Sequence, residues 1–455
     1  MNIIKTISVV IINTCVMLIC IEIINKMYKS RGILSITPLS FILFKDFFVF
    51  CMIGSSIVYV GGGKNYYEYS FMNNDSTKFF VWISILYSVL FLFYTLYIIE
   101  KFSKRKTIKN IYFRISGLCK LKNKKAVAAF IVLFTLVSLI YYVFYCIRHG
   151  YFPIKSMFEM TSSQLSALRH SDKFLSTENT IIKNILLLML PPITTYASYY
   201  CYKIEKTIFW KLLLINSFLV TSMCLTYRFE KSYLIYFLLG FILMPLLKDK
   251  KAIYTEDNKI KIKKIIIIGF IVIFGMIYVL FITGKDSFSI LNLYLSMNRF
   301  IYGQIVGLYR HYDLFPNNIE FLNFKYFPTS VAYLFGNEEI RSARLVMLSS
   351  YPGTNQGYMN TLFLGEAYAN GGIITALFAP IIVGIMIYLE LTIFDMIKDD
   401  VFSRACLVYI LLNSIPITGG FLDFIYNPVL IIIFIFLIIL NCLLYGNIKF
   451  FRNFK

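Results

Sequence analysis

Residues 355–378, NQGYMNTLFLGEAYANGGIITALF, bring a carboxylate, an amide and a run of small residues into one short stretch. Glu366 and Asn370 are four apart, which places them on one face of a helix. Gly365, Ala369 and Gly372 form a small-residue stripe of the kind that lets another helix approach closely. A carboxylate set at a membrane boundary against a packed neighbour has its pKa raised by partial burial and suits proton transfer. The same Glu in the first turn of a helix also has a structural reading, as a charge favoured by the helix dipole. Both readings stay open on the residues alone.

Arginines supply the second chemical theme. The stretch just upstream carries Arg299, Arg310, Arg341 and Arg344, with His311, Asp313 and Glu320 among them. Arg341 and Arg344 are three apart and share a helical face. Guanidinium groups present a rigid fork of donors that matches phosphate oxygens, so an anionic lipid-linked substrate is one fitting ligand. Anchoring to lipid headgroups is the plainer alternative. Arg228 lies in TYRFEKS (226–232), between two apolar runs with almost no loop. Ionisable residues held at that depth are functional candidates by default; a surface turn with an Arg–Glu pair is the alternative. His311 is one of only three His, with His149 and His170, and a neutral imidazole can act as a base or simply be polar surface. Tyr309, Tyr312, Tyr351 and Tyr358 offer rings of the kind that anchor a chain at a membrane interface. Lys45 and Asp46 sit inside an apolar run, where packing between helices is the favoured role.

The elements that must position these residues are membrane helices. The chain has 455 residues, 58% of them hydrophobic and 15% charged, with a mean hydropathy of +0.70. Soluble domains run at about 45–50% apolar and about 25% charged, so that class is excluded, as is disorder. Eleven apolar runs fit transmembrane helices, at about 4–24, 36–60, 79–99, 126–147, 181–202, 208–227, 232–247, 265–284, 372–393, 405–421 and 428–447. Pro191-Pro192 predicts a kink in the fifth, and Pro416, Gly419 and Gly420 interrupt the tenth. No small-residue cleavage site follows the first run, which reads as a retained span. Segments 101–125 and 248–264 hold ten and seven Lys/Arg. Cytoplasmic loops collect positive charge, so both are cytoplasmic, the C-terminus is inside and the N-terminus outside. The external side then carries a medium loop, 148–180, and one of 87 residues, 285–371. Loops this long are usually functional. Within it, 288–310 reads as amphipathic helix. The whole, 1–455, is expected to be one integral membrane domain.

The net charge of +21 belongs to this loop asymmetry, and no nucleic-acid partner is expected. Nine Cys stand singly, without metal-binding spacing, and act as small hydrophobes. No nucleotide-binding loop and no external carboxylate cluster with metal-ligand spacing is found. No metal and no cofactor are therefore expected.

The stretch 355–375 is similar to the GEAYAN motif that closes the large external loop in many members of the bacterial O-antigen polymerase family, the oligosaccharide repeat unit polymerases (Wzy-type). The layout of many spans with a medium and a large Arg-rich external loop resembles that family too. Two departures stand out. The family's usual Phe after Asn is Gly371 here, and its Arg-to-Gly spacings are not matched, since eleven and eight residues separate Arg341 and Arg344 from Gly353. The resemblance implies an all-α polytopic membrane protein, similar to the GT-C-like bundles of polymerases and ligases. It implies metal-independent glycosyl transfer at the outer face of the bacterial cytoplasmic membrane. A growing glycan on undecaprenyl pyrophosphate would move onto a lipid-linked repeat unit, building O-antigen, capsule or exopolysaccharide. Donor and acceptor are both lipid-linked, and membrane lipid, a chain-length regulator and a flippase of the same pathway are the implied partners. The chemistry then assigns Glu366 as first choice of base and His311 as second. Arg228, Arg299, Arg310, Arg341 and Arg344 become pyrophosphate ligands, and Tyr358 and Asn370 sugar contacts. An O-antigen ligase, in which a central loop His matters, is the nearest alternative. A lipid-linked oligosaccharide flippase follows, and a non-enzymatic scaffold comes last.

Overall fold

The computed structural model describes residues 3–28, 37–116, 119, 121–161, 164–165, 168, 180–227, 231–246, 290–325, 341–353, 357–359, 361–413 and 419–445. Arg228 and the expected span 265–284 lie outside the described residues. What is described is helical: α1 (Ile3–Tyr28), α2 (Leu39–Tyr59), α3 (Asp75–Phe102), α4 (Thr107–Ser116), α5 (Lys124–His149), α6 (Ile181–Glu205), α7 (Ile208–Leu225), α8 (Lys231–Leu246), α9 (Ile290–Tyr302), α10 (Val306–Leu314), α11 (Ser342–Ser350), α12 (Phe363–Met396), α13 (Val401–Asn413) and α14 (Pro428–Tyr445). Among the described residues, 8 helices are long and apolar enough to cross a membrane, the last of them counted from Leu422 to Leu444. Segments expected as the seventh and tenth spans are present as shorter apolar helices, Ser232–Phe241 and Val401–Asn413. The chain is thus an α-helical polytopic membrane protein.

Local sequence explains the helix ends and the irregular turns. Thr37 caps the helical turn Pro38–Ile42, which opens α2, in a reciprocal box with Ser40: the Ser40 N–H donates to Thr37 Oγ1 (3.0 Å) and the Thr37 N–H to Ser40 Oγ (2.7 Å), with Pro38 at its first position. That arrangement satisfies N–H groups that a helix start leaves open. Asn74 caps α3 by accepting from the Ser76 N–H (3.2 Å). Two stretches widen to π-helix, Leu43–Met52 in α2 and Ile185–Met189 in α6. The first holds Lys45 and Asp46, which pair with each other at 3.3 Å. The second leads straight into Pro191-Pro192, whose missing N–H groups leave carbonyls upstream without their usual donors. Just beyond the prolines, the Thr194 and Thr195 hydroxyls both bond the Pro191 carbonyl, at 2.7 and 3.0 Å.

The fold forms two compact units. The first comprises Met1–Asn110, Tyr294–Thr392 and Ile415–Pro428. Here α3 packs along α1 and α2, and α10 packs on α3 and α11. Glu100 near the end of α3 accepts from the Ile108 and Lys109 N–H groups (3.2 and 3.3 Å) and from the Tyr388 hydroxyl (3.1 Å). The second comprises Ile111–Leu293, Ile393–Ser414 and Val429–Lys455. Its core is α6, packed by α5, α7 and α13, with Tyr196 and Tyr200 of α6 fully buried. Their hydroxyls donate to the carbonyls of Phe237 (2.9 Å) and Ile115 (3.1 Å), so the rings fill the core without stranding a polar atom.

The long helix α12 is interrupted where the sequence places Gly371-Gly372. Gly372 takes φ +63°, ψ −153°, a region open in practice only to glycine. The break frees the carbonyls of Ala369 and Asn370, and the segment after α10 bonds them: the Leu322 N–H donates to Ala369 and the Asn323 N–H to Asn370, both at 2.9 Å. The first two turns of α12, carrying Glu366 and Asn370, are therefore a separate short helix set on its own footing.

Candidate functional site

Glu366 and Asn370 do share a face, and each fixes a different loop. The Asn370 Nδ2 donates to the Glu366 carbonyl (2.9 Å), while its Oδ1 accepts from the Phe324 N–H (3.2 Å). The Glu366 side chain turns the other way. Its Oε2 accepts from the Leu422 N–H at 2.8 Å, and only 8% of the residue is exposed. Gly420 lies so close that a Cβ there would strike Glu366 Oε2, so a glycine is required for the loop to close over the carboxylate. Asp423 holds that loop in turn, accepting from the Gly420 N–H (3.1 Å).

Arg341 faces this loop. It stands immediately before α11 and pairs with Asp423 at 3.7 Å, with a third of its side chain exposed. Its guanidinium carbon lies 5.8 Å from the centre of the half-exposed Tyr358 ring. One turn along α11, Arg344 donates from Nη1 to the Gly357 carbonyl (3.0 Å). Arg341, Arg344, Tyr358, Asp423 and Glu366 are thus gathered at one end of the first unit.

His311 is brought to the same place from below. The space over Gly365 is filled by Thr361 and the His311 ring. His311 is fully buried. Its Nδ1 lies 2.6 Å from the Gly307 carbonyl and its Nε2 3.1 Å from Ser342 Oγ. A carbonyl can only accept, so Nδ1 carries the proton and Nε2 accepts from the serine hydroxyl. Burial pushes the imidazole pKa down to about 4. The ring is therefore neutral at physiological pH, with both nitrogens engaged. Through Ser342 it fixes the first residue of α11, and with it Arg341 and Arg344. Close by, the buried Thr361 hydroxyl has no partner among the described residues.

The remaining candidates separate from this group. Arg299 is exposed on α9. Arg310 donates from Nε to Ser350 Oγ (2.9 Å) at the far end of α11. Tyr309 and Tyr312 are core residues; the Tyr312 hydroxyl donates to Ser84 (3.2 Å), and the ring packs on Phe80 and Tyr368. The Tyr351 hydroxyl donates to Glu68 Oε1 (2.7 Å). Ser342, Thr361, Asp423 and Glu68 are contributors that sequence reasoning did not single out. Gly419-Gly420 was the one visible signal for Asp423, since it marks a loop cutting into an apolar run. Among the described residues, no three His, Cys, Asp or Glu side chains gather to hold a metal ion.

What the arrangement offers chemically is a buried carboxylate held by a backbone N–H, with Arg341 at the cap of α11 facing its loop and Arg344 within the first turn of that helix. Comparison with family models, with curated proteins and with solved structures finds no match.

Proposed function

We propose that the chain is a membrane glycosyltransferase that polymerises undecaprenyl-pyrophosphate-linked repeat units at the outer face of the bacterial cytoplasmic membrane. The observation that carries this reading is the buried Glu366 with Arg341 facing the loop that closes over it, Arg344 standing one turn further on. A donor sugar on pyrophosphate already bears its leaving group. The reaction needs a base for the acceptor hydroxyl and cations for the departing pyrophosphate. In the step envisaged, the hydroxyl oxygen of the acceptor attacks the anomeric carbon of the donor. The bond from that carbon to the pyrophosphate oxygen breaks, the hydroxyl proton passes to Glu366, and undecaprenyl pyrophosphate leaves toward Arg341 and Arg344. Arginine forks suit that last role because they bind phosphate oxygens two at a time. His311 serves in this scheme as a positioning residue for α11, because its accepting nitrogen is already taken by Ser342.

The pairing of segments inside each unit supports the sidedness assumed here. In the first unit, Glu366–Leu422, Arg341–Asp423, Tyr351–Glu68 and Tyr312–Ser84 all join stretches that the charge pattern sets outside or at the outer ends of spans. Glu100–Tyr388 joins inner ends. In the second, Lys124–Glu205 and Arg114–Asp399 join inner stretches, and Tyr227–Asn184 (3.1 Å) joins outer ones. The count of eleven spans and the GT-C-like bundle belong to the same proposal.

The test is the surface glycan of a strain lacking this gene, resolved by size on a gel. Single repeat units on the surface with the long ladder gone is the expected result. Complete absence of surface repeats would sink the polymerase reading and favour a flippase, or a ligase if long chains remain on the lipid carrier.

A further inference from the structure

Arg310 does not belong with the arginines beside Glu366. It is fastened to Ser350 at the C-terminal end of α11, while Arg341 stands at the N-terminal end. Nine residues at a rise of 1.5 Å separate the two positions by about 13 Å along the axis, a longer reach than one pyrophosphate provides. Its guanidinium carbon instead lies 4.6 Å from the centre of the Phe71 ring. Among the described residues, no carboxylate comes within ion-pairing distance of this half-buried cation, and its Nη groups make no hydrogen bond. Asp313, the acidic neighbour one turn along α10, directs Oδ1 at the Thr77 hydroxyl (2.5 Å) and the Asn74 amide (3.4 Å). Burial pushes the Arg310 pKa down, with Asp313 and Tyr351 opposing. A desolvated cation without a paired anion is costly, and a bound anion removes that cost.

The wall around this cation has its own character. Phe71 meets the Tyr351 ring edge-on, with centroids 5.5 Å apart. The two oxygens of Glu68 accept from the hydroxyls of Tyr66 and Tyr351, each at 2.7 Å. Each carboxylate oxygen has a second lone pair, so Glu68 can still accept from a ligand. Tyr67 packs against Tyr66 with centroids 4.7 Å apart and is 66% exposed. The hydroxyl of Tyr309, next to Arg310, is buried without a partner among the described residues. A small free anion would be repelled by Glu68. A ligand with its charge at one edge and neutral hydroxyls at the other meets both groups favourably.

We infer that Arg310, Phe71, Tyr351, Glu68 and Tyr67 form a second binding subsite, which takes a sugar ring bearing an anionic substituent, a carboxylate or a phosphate. The guanidinium holds the anion, Glu68 accepts ring hydroxyls, and the aromatic side chains cover the ring. The subsite requires no turnover at Glu366, so its test is separate from that of the proposed reaction.

The experiment is saturation-transfer difference NMR on the full-length protein in detergent micelles. The probes are the methyl glycosides of glucuronate, galacturonate, N-acetylneuraminate and glucose 6-phosphate, each paired with its neutral counterpart. At least one anionic probe is expected to bind about tenfold more tightly than its neutral partner, the worth of one charge-assisted hydrogen bond. Arg310→Gln should erase that preference. Tyr67→Ala, at an exposed position that leaves the fold untouched, should weaken the same probe several-fold. A carboxylate probe that wins assigns an acidic sugar; a phosphate probe that wins assigns a sugar phosphate. Equal binding of charged and neutral probes, or a preference that survives Arg310→Gln, would overturn the inference. So would displacement by inorganic phosphate at the concentration at which the best probe binds, which would make this an anion site with no use for the ring.

Discussion

Two carboxylates in this protein are held in opposite ways. Asp399, in the second unit, is held by arginines: its Oδ1 accepts from Arg114 Nε (3.1 Å) and Arg404 Nε (2.7 Å), and its Oδ2 from Arg404 Nη2 (2.7 Å). Arg114 then donates to the carbonyls of Phe394 and Lys398 and to Ser403 Oγ. Both arginine side chains are almost wholly buried. Glu366, in the first unit, is held by a backbone N–H, and the nearest arginine is partly exposed and spans 3.7 Å to a different acid. The first arrangement joins helix ends with charges that are matched to one another. The second keeps a carboxylate in place while leaving the cationic side chains at a surface. Matched charge stabilises a fold, whereas charge set beside an acid at a surface is what a reaction can use.

This contrast is broken most decisively at Glu366. Glu366→Gln keeps an oxygen for the Leu422 N–H and the side-chain shape but cannot take a proton. The expected loss in polymer formation is about 10²–10⁴-fold, the range for general base catalysis, with membrane-inserted protein and thermal stability near wild type. Full-length polymer from this variant would remove Glu366 as the base. Arg404→Ala is the counterpart. Removing one partner of a buried charge cluster costs about 3–5 kcal/mol, so the expected result is a lower melting temperature and less inserted protein, with activity falling only in proportion. A normally stable Arg404→Ala protein that makes no glycan would reverse the comparison.

His311 sharpens the contrast through pH. Its folded pKa of about 4 lies below the ordinary imidazole value of 6.5, so the unfolded chain takes up the proton first as pH falls. The contribution of the neutral ring is complete above pH 6.5 and is lost as pH drops toward 4, at about 1.4 kcal/mol for each pH unit crossed. Wild-type protein should lose thermal stability over that window more steeply than His311→Gln. Parallel curves would mean that the ring takes its proton without penalty, and the assignment of a fixed neutral tautomer would fall.

The helices were legible because apolar length is a one-dimensional property; 4–24, 79–99 and 126–147 fall inside α1, α3 and α5. Helix within 288–310 was legible too, as α9 and the first part of α10. The π-helical turn before Pro191 was not, since a proline pair announces lost hydrogen bonds but not how neighbours replace them. Within the site, Glu366, Asn370, Arg341 and Arg344 were visible from residue type and spacing. Their partners were not. Leu422 donates across 56 positions in the chain, and Ser342 meets His311 across 31. Glu68 stands in a short connection between spans that carries no motif, and only the fold brings it to Tyr351. Gly371 stood out only as a departure from the family motif and Gly372 only as part of a small-residue stripe, whereas together they make a defined break that leaves the carbonyls of Ala369 and Asn370 to the N–H groups of residues 322 and 323.

The finest test of how Glu366 is held is Gly420→Ala. The added methyl group has nowhere to go except against the Glu366 carboxylate, and forced overpacking of this kind costs about 1–3 kcal/mol. The loop must lift, which lengthens the Leu422 N–H bond and draws Asp423, and Arg341 with it, away from Glu366. The expected signature is a modest fall in melting temperature with a larger proportional fall in polymer length, because the carboxylate and the arginines separate before the fold is lost. Adding Glu366→Ala to the same chain removes the clash. The double variant should then regain the stability lost to Gly420→Ala, less whatever the truncation at 366 itself costs, while remaining inactive. Stability that adds up independently for the two substitutions would mean that the loop and the carboxylate do not touch in the membrane, and the distinction between the two carboxylates would lose its structural basis.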